Sequence, residues 1–212
     1  MNVLSIETTS ERASIAYLKD SEVLSQRVIS ERLNSRQTLL QSVRDIFAES
    51  GGSLNDVDFV VCGTGPGSFT GIRLGIAFAT GIYSGMGKRV KTCGIIANDS
   101  IAYACSSRGL NGGRKIVVVI DSKTGRSFTR EYSADAGPLG EIQLLDDAEI
   151  KSKYDGYFFA GIFPERFASA VENPKSVFPD AVYSAGLFSR RPGMRRTLKP
   201  VYMMDFKPGG SR

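Results

Sequence analysis

Along the first thirty residues, apolar positions gather in three short blocks, NVLSIET, ASIAYL and EVLSQRVIS, the last two parted by Lys19, Asp20 and Ser21. Branched and aromatic residues in blocks of this length predict strands, and links this short predict an antiparallel meander. The period then lengthens: in LNSRQTLLQSVRDIFAES, residues Leu39, Leu40, Val43, Ile46 and Phe47 recur at helical spacing before Gly51 and Gly52 stop the pattern. That spacing predicts an amphipathic helix lying on the sheet. DVDFVVCG has the continuous apolar run of a buried parallel strand, and a glycine-rich segment turns it into a second helix from about Gly71 to Ser84. KRVKTCGI and NDSIAYACSS add a strand and a helix. The order predicted for the first lobe is βββαβαβα.

Past the linker-like SRGLNGGRK, IVVVIDS opens a second series of strands that continues through SFTREYS, IQLLD and DGYFFAGI. A weak helix is expected at PERFASAVE and a short one near SAGLFS. The class predicted is α/β, with a first lobe over 1–97 and a second, smaller and less regular lobe over 98–212.

The 212 residues are 42% hydrophobic and 23% charged, a balance that buries a core and excludes a disordered chain. No apolar run reaches the roughly 20 residues of a membrane span, and MNVLSIETTSER has neither the basic start nor the apolar stretch of a signal peptide, so a cytoplasmic location without membrane contact is expected. Cys62, Cys93 and Cys105 are odd in number and widely spaced, the pattern of buried inert thiols rather than disulfides or a CxxC pair. There is no histidine, which removes Ser-His-Asp, Cys-His and His-ligated zinc chemistry, and no metal site is expected. Net charge is +5, with most of the excess in the second half and much of it in RRPGMRRTLK, 190–199, a cluster suited to phosphate, to an acidic partner or to solvent.

GTGPGSFTGIRLGIAFATGIYSGMG, residues 63–87, has the look of a phosphate loop. Its spacing fails the dinucleotide fingerprint, because Gly63, Gly65 and Gly67 are followed by a glycine only at Gly71. It also fails the P-loop pattern, because Lys88 precedes Arg89 at the far end of the helix. What remains is a tight turn before a helix start whose free N–H groups favour an anion. In the helix, Gly71, Leu74, Gly75, Phe78, Ile82 and Gly85 share one face, with Arg73, Thr80 and Ser84 opposite. Glycine in a helix interior costs roughly 1 kcal/mol relative to alanine, so this face calls for close packing, either on the protein's own sheet or on another subunit's helix.

VLSIETTSERASIAYL, GTGPGSFTGIRLGIAFATGI, VVVIDSKTGRSFTREY and a terminal PVYM together resemble the bacterial TsaB family of tRNA threonylcarbamoyladenosine biosynthesis proteins, also called YeaZ-like. The resemblance spans almost the whole chain. It implies a two-lobed actin/Hsp70/sugar-kinase fold with a degenerate second lobe. It also implies a non-catalytic scaffold that pairs with the catalytic paralogue TsaD and the ATPase TsaE in making N6-threonylcarbamoyladenosine at position 37 of tRNA, which it meets only through the complex. On this resemblance Gly71, Leu74, Gly75, Phe78 and Ile82 form the partner interface, used for a homodimer when the protein is alone. No cofactor is required, ATP or ADP being placed at an inter-subunit site.

The chain departs from the family's usual Asp-Thr-Ser with Glu7, Thr8 and Thr9, and further at Asn34, Arg126, Phe128 and Met204. Glutamate there is more like TsaD, but the absence of histidine and the chain length set that paralogue aside. Glu7 and Asp121 each end an apolar strand, where kinases of this superfold place the acids that organise metal and phosphate. With Thr8, Gly65, Gly67 and Ser68 they make up a possible phosphate-loop remnant. The plainer reading is that each acid binds turn N–H groups and that Ser68 or Thr70 caps the helix. An ATP-dependent small-molecule kinase using Glu7 and Asp121 is the alternative function, whereas the peptidase label once attached to the family finds no HExxH or GxSxG motif here.

Overall fold

The computed structural model describes residues 1–29, 36–87, 89–168, 171, 174–191 and 197–202. Three expected meander strands form as β1 (Asn2–Glu7), β2 (Ala13–Lys19) and β3 (Glu22–Ile29), followed by α1 (Arg36–Ser50), β4 (Phe59–Gly65), α2 (Phe69–Gly85), β5 (Lys91–Ile96) and α3 (Ala97–Ser107). The second series is β6 (Ile116–Asp121), β7 (Ser127–Tyr132), β8 (Gln143–Leu145), α4 (Asp147–Lys153), β9 (Phe158–Ile162), α5 (Glu165–Ala168), β10 (Lys175–Ser176) and α6 (Ala181–Arg190).

The same sheet is built twice. The first has the order β3-β2-β1-β4-β5 and the second, read in the matching direction, β8-β7-β6-β9-β10. In each, two antiparallel pairings make a meander and two parallel pairings extend it from the first strand. β1 and β6 are thus equivalent central strands, and Glu7 and Asp121 are their last residues.

Helices cover both faces of each sheet. Side chains of Leu4, Ile6, Ile15 and Val60 pack beneath α1 residues Leu39, Val43 and Ile46 and α2 residue Ala79, while Val3, Ala16, Val61 and Ile95 pack against Ala185, Leu187 and Phe188 of α6. In the second sheet Ile116, Val118 and Phe128 meet α3 residues Ile101, Ala102 and Cys105, and Val117 and Val119 meet Ile150 and Phe167. One cut near residue 97 therefore does not divide the packing: α3, which follows the first sheet, covers the second, and α6 returns from the far end to cover the first. The two helices meet at Ser100 and Ser184, whose hydroxyls lie 3.0 Å apart.

A buried polar knot fixes α3 to β7. The Asp99 carboxylate accepts from Arg130 Nη1 at 2.9 Å and from the Tyr132 hydroxyl at 2.7 Å, and Arg130 Nε donates to the Gly140 carbonyl. Burial, followed by the Asp99 charge, pushes the Tyr132 phenol well above its usual range, so it stays a neutral donor. Replacing Tyr132 by Phe leaves the ion pair but removes one charged hydrogen bond, which predicts a loss of about 1.5–3 kcal/mol in urea denaturation.

Two elements depart from expectation. DDAEIKSK, left between strands by the apolar pattern, is α4, held by a reciprocal cap in which the Asp146 carboxylate accepts from Glu149 N and Glu149 accepts from Asp146 N. β10 is only two residues long, too short for periodicity to show. Asn34, Met204 and positions 192–196 of the basic cluster at 190–199 lie outside the described residues, whereas Phe128 is a core side chain and Arg126 sits exposed at the β6–β7 hairpin. No helix among the described residues is long and apolar enough to cross a membrane.

Candidate functional site

The two strand-end acids are engaged by their own turns. Glu7 is fully buried, with Oε1 accepting from Thr9 N at 2.7 Å and Oε2 without a hydrogen-bond partner. A side chain at Gly63 would collide with that carboxyl. Burial pushes the Glu7 carboxyl up to about 7, against the opposing pull of the Thr9 hydrogen bonds and with a further push from Asp180. Asp121 Oδ1 accepts from Lys123 N at 2.9 Å, and Oδ2 pairs with Lys123 Nζ at 3.0 Å. Both acids bind the N–H two residues on, as the plainer reading of the sequence expects.

The glycine turn folds onto the first hairpin. Thr8 is buried and its hydroxyl donates to the Gly71 carbonyl at 2.7 Å, while Ser68 N donates to the Thr9 carbonyl at 2.6 Å. Gly65 has φ +96°, a region that favours glycine, and a side chain at Gly67 would strike the Thr9 carbonyl. Ser68 is the helix cap, its Oγ accepting from Gly71 N at 3.2 Å. Two N–H groups that a phosphate would need, those of Ser68 and Gly71, are spent within the chain, so this turn by itself does not fit a nucleotide phosphate. Its residues are instead the joint between α2 and β1.

On α2 the wheel's polar side, Arg73, Thr80 and Ser84, is exposed, and of the glycine face only Gly85 is. Gly71, Ile72, Gly75 and Ala79 are the helix's buried residues. Added side chains at Gly71 and Gly75 would meet the Thr8 carbonyl and the Thr8 hydroxyl, with Cys62 Sγ also 3.3 Å from Gly75. Of the five residues expected to touch a partner, Gly71 and Gly75 therefore face the protein's own sheet, because the core arc runs through Ile72 and Ala79. Leu74, Phe78 and Ile82 are half-buried along its flank.

The outward face carries Ala77, Thr80, Gly81, Ser84 and Gly85. Nothing lies within 4 Å of where a side chain at Gly81 or Gly85 would sit. At the head of the helix, the Arg73 guanidinium stacks 3.7 Å over Phe69 and its Nε donates to the Tyr202 hydroxyl at 3.1 Å, with the Phe69 and Tyr202 rings 5.2 Å apart. Val201 N bonds the Thr64 carbonyl and so brings Tyr202 there. Gly81, Phe69 and Tyr202 escaped the sequence reading; the glycine four residues from Gly85 was the available signal for the first, and no local pattern pointed to the others.

A sheet of one topology used twice, with an acid closing each first strand, defines the actin/Hsp70/sugar-kinase class of two-lobed folds. YeaZ from Pseudomonas aeruginosa has this fold, with a TM-score of 0.79 at 22% identity over 95% of this chain and 99% of that one. The family model described as "TsaD: tRNA N6-adenosine threonylcarbamoyltransferase" matches residues 22–135, more than half of the sequence, and the chain belongs to that family. Among curated relatives, the tRNA threonylcarbamoyladenosine biosynthesis protein TsaB of Escherichia coli is 33% identical over 135 residues, covering 64% of this chain and 56% of the relative. TsaB of Haemophilus influenzae is 31% identical over 128 residues, covering 60% and 52%. The chain thus spans about half the length of the curated relatives it matches.

Proposed function

We propose that the protein is a non-catalytic scaffold in the synthesis of N6-threonylcarbamoyladenosine at position 37 of tRNA, and that the outward face of α2 docks the catalytic TsaD-like subunit. The observation that carries this reading is Gly81, an interior helix residue with open space around it. Glycine there weakens the helix by roughly 1 kcal/mol relative to alanine and makes no close approach within the chain. A partner helix lying along Gly81 and Gly85 supplies the missing reason, with Leu74, Phe78 and Ile82 at the edge of the contact.

In this reading the same face pairs two copies when the catalytic subunit is absent. A TsaE-like ATPase joins the assembled pair, tRNA is met through the complex in the cytoplasm, and the chain itself needs no cofactor. Any ATP or ADP belongs between subunits. Glu7 and Asp121, each bound to its own turn, are structural, which gives the kinase alternative no support.

Gly81→Leu tests the face directly. The variant is expected to melt within a few degrees of the parent, since nothing surrounds the new side chain, yet to lose co-purification with a TsaD-like subunit and tRNA modification in the reconstituted system. Undiminished co-purification by folded Gly81→Leu would sink the assignment.

A further inference from the structure

A groove of about 390 Å³ lies where β2 and β3 meet α3, β10 and α6, and none of Glu7, Thr8, Gly65, Gly67, Ser68 or Asp121 lines it. Arg12, just before β2, and Arg108, the C-cap of α3, bring two guanidiniums to it from different parts of the chain. Among the described residues neither side chain has a hydrogen bond or an ion pair. Asp180 also lines the groove, but its Oδ1 accepts from Val182 N at 2.9 Å as the cap of α6, and it pairs with neither arginine. Half-buried Phe178 and Tyr183 provide ring surface, and Gln26 an amide.

Two unpaired cations sharing one concavity repel each other, and a dianion between them reverses that. The planar fork of arginine matches phosphate oxygens two at a time. Rings beside such a site offer a stacking surface for a flat heterocycle. The volume falls within the roughly 300–1,000 Å³ of small-molecule sites.

We propose that this groove binds a nucleoside monophosphate, free or as one nucleotide of an RNA strand, with phosphate between Arg12 and Arg108 and base against Tyr183 or Phe178. Gln26 and the second oxygen of Asp180 are left to meet the ribose hydroxyls or the base edge. Neither α2 nor a catalytic subunit takes part, so the assignment stands apart from the scaffold reading.

Calorimetric titration of the full chain with 5′-AMP, with hexa-adenylate RNA and with inorganic phosphate tests it. AMP is expected to bind and phosphate to compete weakly. Arg12→Ala and Arg108→Ala, both at exposed positions, should each weaken AMP about tenfold or more, the loss of one charged hydrogen-bonding group. Asp121→Asn, at the separate strand-end turn, should leave AMP binding unchanged. RNA that binds more tightly than AMP with the same arginine dependence identifies a strand as the occupant, and binding of AMP alone identifies the free nucleotide. No heat with either ligand at millimolar concentration, or binding that survives both arginine substitutions, overturns the proposal.

Discussion

Glu7→Gln is expected to stabilise the protein at pH 8 by about 1–3 kcal/mol and to flatten its dependence on pH between 5 and 8. The parent carboxyl is ordinary in the unfolded chain, near 4.5, and is raised to about 7 in the fold because burial disfavours its charge. Between those values the folded state holds a proton that the unfolded state has released. Stability is therefore present in full below about 4.5 and is lost as pH rises through about 7. A difference of this size corresponds to about 3 kcal/mol, at most, once both states are ionised.

The measurement is unusually clean because the chain has no histidine to titrate in the same window, and burial raises the Cys62 thiol further from it. Glutamine keeps an oxygen for Thr9 N and carries no charge. Urea denaturation of both proteins at pH 5 and pH 8 decides the matter. A parent equally stable at the two pH values, or a variant that tracks the parent's decline, would show that Glu7 is not the titrating group.

Much of this arrangement was legible in the residues. The blocks from NVLSIET to IVVVIDS mark the strands because each is apolar, short and bounded by turn residues, and that signal is local. Ser68 was legible as a cap, and the strand-end acids as turn binders, for the same reason. The fold's duplication was visible only as a second run of strands; that the two sheets share one order depends on which strands pair, and no spacing carries that. α6 illustrates the limit: SAGLFS reads as a short helix, but its return from residue 181 to cover the first sheet is decided by Ala185, Leu187 and Phe188 finding Val3, Val61 and Ile95. α4 was within reach, since Asp146 and Glu149 stand at capping-box spacing, although its one buried residue, Ile150, leaves almost no periodicity.

The helix α2 and its polar side were legible, but periodicity left open whether its glycine face meets the protein's own sheet or a second chain. Space around each glycine supplies what periodicity lacks, and it predicts opposite results at two positions ten residues apart. Gly71→Ala is expected to destabilise by about 2–4 kcal/mol: the methyl overlaps the Thr8 carbonyl, a backbone atom that cannot rotate away, and pushing α2 off β1 also strains the hydrogen bond from the Thr8 hydroxyl to Gly71. Gly81→Ala is expected to stabilise by about 0.5–1 kcal/mol, since its methyl meets nothing and the helix gains the better former. Denaturant midpoints of the two variants measure both shifts, and a neutral Gly71→Ala would contradict the packing of α2 on the Thr8 turn. If Gly81→Ala gains stability while binding its partner less tightly, the glycine is retained for closeness to a second chain, at the expense of the helix that carries it.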